Sequence, residues 1–94
     1  GIIMQKKHYL CVFKSRNHTF FINNLLEEDK DIFQLVSTPC ALQAGCGYSI
    51  RFFNKSSINL IQKMVRDNNL AFPKFYIVYK ENGNIKYKEV KPNT

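Results

Sequence analysis

His8-Tyr9-Leu10-Cys11-Val12-Phe13-Lys14 is the stretch on which the reading of the fold turns. Its side chains alternate, with Tyr9, Cys11 and Phe13 on one face and Leu10 and Val12 on the other, and these residue types favour a strand. Both faces are apolar, so the strand is expected to be central in a sheet.

Working outward, Ser15 can cap a helix that starts at Arg16, in which Phe21 and Leu25 with neighbouring Ile22 and Leu26 fall at helical spacing. Glu27, Glu28 and Asp29 lead out of it. Ile32 to Ser37 is a second strand, ended by Thr38-Pro39 because proline lacks the donor a ladder needs. A loop from Pro39 to Gly47 follows, and Tyr48 to Phe53 is a third strand. Ser56 or Ser57 can cap a second helix with a stripe of Ile58, Ile61 and Val65 flanked by Met64, and Asn68-Asn69 should stop it. Phe75 to Lys80 and Ile85 to Val90 are strands on either side of Asn82-Gly83, a pair suited to the positive φ angles of a type I′ turn. The order β-α-β-β-α-β with one extra hairpin strand predicts an α+β, ferredoxin-like two-layer sandwich. Both helices should cover one face of an antiparallel sheet.

The 94 residues make about one domain, expected over residues 4–91. Gly1-Ile2-Ile3 precedes a plausible start at Met4 and reads as a cloning remnant or the end of a longer arm, and the tail 92–94 should fray. Apolar residues at 45%, with eight Phe and five Tyr, supply enough area for a core without staples, so disorder is not expected. No apolar run approaches the roughly 20 residues a bilayer requires, and the expectation is a soluble, cytoplasmic protein with no membrane partner. Three cysteines, Cys11, Cys40 and Cys46, are an odd and irregularly spaced set, which favours reduced thiols over a disulfide framework. The formal charge of +7 could attract nucleic acid, anionic membrane or an acidic protein and cannot choose among them.

Chemistry concentrates in Thr38-Pro39-Cys40-Ala41-Leu42-Gln43-Ala44-Gly45-Cys46-Gly47-Tyr48-Ser49-Ile50-Arg51, which carries two cysteines, two glycines and no acidic residue. Cys46 between Gly45 and Gly47 has no bulky sequence neighbour, and backbone amides can approach closely enough to hydrogen-bond a thiolate. Arg51 could add the positive potential that raises a thiolate fraction. The alternative is a tight turn in which Cys46 is a small buried residue. Cys11, on the central strand, reads as core. His8 and His18 lie in no metal spacing, so no metal and no cofactor are expected, although His18 could serve a thiol as base. No phosphate loop, Ser-His-Asp set or carboxylate pair is present.

Three stretches, Tyr9 to His18, Leu35-Val36-Ser37-Thr38-Pro39 and Cys46-Gly47-Tyr48-Ser49-Ile50-Arg51-Phe52, resemble the small bacterial family of sulfur or selenium (Se/S) carrier-like proteins, a domain of unknown function. The resemblance covers about Tyr9 to Leu70 and maps the family's functional cysteine onto Cys46. It implies a carrier or accessory protein more than a turnover enzyme, in which Cys46 takes a chalcogen from a donor protein and passes it to an acceptor. Thr38, Pro39, Gly45, Gly47 and Arg51 would form the binding surroundings. After Thr-Pro the family pattern usually has Arg, where this chain has Cys40, and the hairpin from Phe75 to Val90 is longer and more basic than the family's usual ending. Five residues separate Cys40 from Cys46, which lets Cys40 act as a resolving thiol if the loop bends. Two other readings stand beside this one. One is an RNA-binding module stacking bases on Tyr9, Phe13, Tyr76 or Tyr79. The other is a non-catalytic interaction domain using the edge from Ile85 to Val90, with a homodimer as one assembly, although Lys86 and Lys88 would keep that edge soluble.

Overall fold

A computed structural model describes residues 7–29, 32–42 and 47–92. Along the chain run β1 (His8–Val12), α1 (Arg16–Leu25), β2 (Gln34–Ser37), β3 (Tyr48–Phe52), α2 (Ser57–Asp67), β4 (Lys74–Glu81) and β5 (Asn84–Val90). Short 3-10 turns, Glu27–Asp29 and Cys40–Leu42, follow α1 and β2. The fold is α+β, and the described residues form two α-helices and one open sheet in the order β2-β3-β1-β4-β5, all neighbours antiparallel.

β1 is the centre of the sheet, as its two apolar faces require. It pairs with β3 through Tyr9–Phe52 and Cys11–Ile50, and with β4 through Tyr9–Ile77 and Cys11–Phe75. Tyr9, Cys11 and Phe13 join one core cluster with Ile50, Phe52 and Phe75 from the sheet and Ile22, Leu26, Ile58, Ile61 and Val65 from both helices. Phe52 is the hub. It stacks on Tyr9 with centroids 5.5 Å apart and meets Phe33 and Phe75 at 6.0 and 6.4 Å, within the range where aromatic pairs add to area burial.

Leu10, Val12 and Val78 form a second buried cluster on the opposite, helix-free face. Neither α1 nor α2 contributes to this cluster. Val36, Tyr76 and Tyr87 flank them on the sheet, and Leu42 reaches them from the Cys40–Leu42 turn. The segment after β2 therefore folds back under the sheet and is pinned there by an apolar contact.

Several local expectations are refined. In α1 the buried positions are Thr19, Ile22 and, just past the end, Leu26, while Phe21 and Leu25 are exposed. The helix is short, and only a narrow stripe faces the sheet. Ser15 caps it, accepting from the His18 backbone N–H at 3.4 Å. At α2, Ser56 occupies the capping position without a side-chain cap; instead Asn54 Oδ1 accepts from the Ser56 backbone N–H and hydroxyl at 2.9 and 2.8 Å. Side-chain bonds of this kind hold the turn that launches the helix. Asn82 and Gly83 have φ of 51° and 79°, as a type I′ hairpin demands.

Candidate functional site

The antiparallel pairing fixes what lies at the Gly47 end of the sheet. β1 finishes there, so the turn into α1 is there, and so are the end of β2, the start of β3 and the start of β4, which pairs through Lys74 with Val12. The mouth of the β2–β3 loop is closed by a hydrogen bond from the Thr38 N–H to the Gly47 carbonyl, 2.9 Å. Below it the Thr38 and Ser49 hydroxyls share a 2.5 Å hydrogen bond that satisfies Ser49, a fully buried polar side chain. Gly47 has φ of +92°, a left-handed conformation that glycine adopts without strain. Pro39 contributes its carbonyl, which accepts from the Leu42 N–H at 3.0 Å and closes the 3-10 turn carrying Cys40.

Positive charge is also gathered at this end. The Arg16 guanidinium lies over the Tyr48 ring, 5.6 Å from its centroid, and Phe20 packs on the same ring at 5.5 Å. Arg16 is the first residue of α1, whose first turn carries no acidic residue, so the positive helix end and a guanidinium both stand beside the residue after Gly47. Lys14 precedes the cap, and α2 ends on the same side with Arg66 in its last turn.

Arg51 is elsewhere. It sits four residues along β3 from Gly47, about 13 Å of extended chain. Its Nε and Nη2 both donate to Gln34 Oε1 on β2, with Nε at 3.1 Å. The cation packed on Tyr48, the residue after Gly47, is Arg16. Pairing direction is the signal that finds it: in an antiparallel pair the residues after β1 must lie beside the first residues of β3.

Of the thiols, Cys11 is buried in the helix-side core, and burial alone pushes its pKa well up. Cys40 is exposed and free. Cys46 and Gly45, the other sequence-predicted members of the loop, lie outside the described residues. Among the described residues no group of three or more His, Cys, Asp or Glu side chains could hold a metal ion.

A family model described as "Putative Se/S carrier protein-like" matches residues 8–77. The chain belongs to this family. The match runs from the first residue of β1 into the middle of β4, so it includes Thr38, Pro39, Cys40, Cys46, Gly47 and Arg51 and leaves the rest of the hairpin outside. Neither curated proteins nor solved structures give a match.

The aromatic platform expected for RNA is not formed. Tyr9 and Phe13 are in the helix-side core, 7% and 1% exposed. Tyr76 packs with Leu10 and Val12 on the other face, and Tyr79, two ladder positions from Ile77, is on the helix side. These four rings do not share an open surface on which successive bases could stack. β5 is an edge strand with Lys86 and Lys88 exposed, the arrangement that keeps edges from pairing indiscriminately. No described helix is long and apolar enough to cross a membrane.

Proposed function

We propose that this protein is a sulfur or selenium carrier whose working group is the Cys46 thiolate. Membership of the Se/S carrier-like family is the observation that carries this reading. The surroundings of Gly47 support it: the adjoining strand end faces the N-terminus of α1 and Arg16, and positive charge of that kind favours a thiolate. Cys11, sealed and pushed toward the neutral thiol, cannot compete.

In the proposed step the Cys46 thiolate attacks the terminal sulfur of a donor persulfide. The new Sγ–S bond forms as the donor's S–S bond breaks, and the donor leaves as its thiolate, with no net change in oxidation state. An acceptor nucleophile then takes the terminal sulfur and returns the Cys46 thiolate. Where Cys40 resolves instead, its thiolate attacks Cys46 Sγ, hydrosulfide leaves, and the resulting Cys40–Cys46 disulfide is reset by an external dithiol. The exposed Cys40 at the start of a pinned turn supports that second route. The ferredoxin-like reading belongs to the same proposal. It is supported by the β-α-β-β-α-β order of elements, by β1 lying between β3 and β4, and by both helices sharing one core cluster. The full five-strand order departs from the four-stranded pattern because β5 adds an edge outside β4.

The test is to incubate the reduced protein with a cysteine desulfurase and cysteine, then measure intact mass. One added sulfur is expected on the wild-type chain and on Cys40→Ser, and none on Cys46→Ser. Loading that survives Cys46→Ser overturns the assignment.

A further inference from the structure

We propose that a cleft on the helix-free face of the sheet is a binding site for a small organic carboxylate with a short apolar stem and no ammonium group. The cleft has a volume of about 170 Å³. A cavity of roughly 150 Å³ accepts a ring the size of benzene, so the space suits a ligand of five to ten non-hydrogen atoms, order of magnitude.

Its floor is apolar, made by Leu10, Val36 and Val78 with Ile85 at the β5 side. Leu10 and Val78 are buried, and Ile85 is 45% exposed at the mouth. β2 and β5 are opposite edges of the sheet, about 19 Å apart if the strands lay flat. Residues from both line this one cleft, so the helix-free side is concave.

Polar side chains stand on the same helix-free face. Arg51, the register partner of Leu10, and His8, two residues before Leu10 on the same face, contribute a guanidinium and an imidazole, Tyr87 adds a hydroxyl two strands from His8, and Ser37 and Pro39 complete the lining. No Asp or Glu is among the described residues lining the cleft. Gln34 Oε1 takes two donors on one side of the half-buried Arg51 fork, which fixes the plane of the guanidinium and leaves its other donors for a bidentate anion. One fixed guanidinium matches one planar monoanion. An ammonium on the same ligand would find no carboxylate to receive it and would be desolvated beside a cation. The chemistry therefore selects a simple carboxylate over an amino acid with the same stem.

This site does not depend on chalcogen loading, so it is tested on the Cys46→Ser chain. Binding is followed by backbone amide shifts with three isosteric probes: 3-methylbutanoate, its amide 3-methylbutanamide, and valine. Saturable shifts at Leu10, Val36, Arg51, Val78 and Tyr87 are expected with the carboxylate, at affinity about tenfold or more above both the amide and valine. Arg51→Gln should weaken the carboxylate by a similar factor. Should Arg51→Gln fail to fold, Ile85→Glu, at an exposed edge position, keeps the fold and sets a like charge at the mouth, and it too should weaken binding. Absence of saturable shifts, equal affinity for the amide, equal affinity for inorganic phosphate, or indifference to both substitutions overturns the proposal.

Discussion

The two faces of the sheet are built from the same alternating strands and finished in opposite ways. On the helix side, Tyr9, Cys11, Phe13, Ile50, Phe52 and Phe75 are roofed by both helices, and every aromatic ring that is buried among the described residues belongs to this cluster. On the other side Leu10, Val12 and Val78 are buried with only Leu42, Val36, Tyr76 and Tyr87 around them. The first face closes the molecule. The second stays thinly covered, and its cover comes from the loop that carries Cys40 and leads to Cys46. A core roofed by two helices and a thinly covered face are thus separated by one strand's thickness.

The largest effect should come from breaking the closed face. Phe52→Ala removes the ring that touches Tyr9, Phe33 and Phe75 and should cost about 3–5 kcal/mol in urea unfolding. Leu10→Ala, on the thin face, should cost less, about 2–3 kcal/mol, because tyrosines and the Leu42 turn can settle into the space. Equal losses at the two positions would remove the distinction between the faces.

A pH experiment sharpens the same contrast through Cys11. Burial raises its folded pKa, so the folded state holds its proton while an unfolded thiol ionises above about 8.5. Stability is unaffected below that pH and falls as pH rises beyond it, by about 1.4 kcal/mol per unit for this group until the folded thiol itself ionises. The difference in unfolding free energy between wild type and Cys11→Ala, followed from pH 7 to pH 10, should show that slope. A parallel pair of curves would mean the thiol is not sealed.

Smallest is the effect at the loop mouth. Among the described residues, chain neighbours aside, a Cβ at Gly47 would meet no atom within 4 Å, so Gly47→Ala should lose only what the left-handed backbone costs, about 1 kcal/mol by thermal unfolding. A much larger loss would mean that packing, not conformation, holds the glycine there.

Much of this was readable from local chemistry. The double-sided β1, the Ser15 cap and the Asn82-Gly83 turn each depend on neighbours in sequence, and each took the expected form. Exposure of Phe21 and Leu25 was not readable, because helical spacing alone does not say how wide a stripe the sheet will cover. Nor was the role of Asn54, since Ser56 is equally suited to cap on residue type. Arg51 follows Cys46 by five residues in sequence but sits well along β3 from Gly47, whereas Arg16, thirty residues before Cys46, arrives beside Tyr48 through antiparallel pairing. Distance along the chain and distance in space diverge most where strands turn back.

The central proposal is that the protein's reactive sulfur is the Cys46 thiol, in a partly ionised state. Residue-resolved alkylation by iodoacetamide across pH 5 to 10, read by peptide mass, tests it most directly. The account predicts Cys46 modified first with a midpoint below the ~8.5 of a free cysteine, Cys40 more slowly, and Cys11 only on unfolding. Cys46 reacting no faster than Cys40, or with an ordinary midpoint, would contradict it.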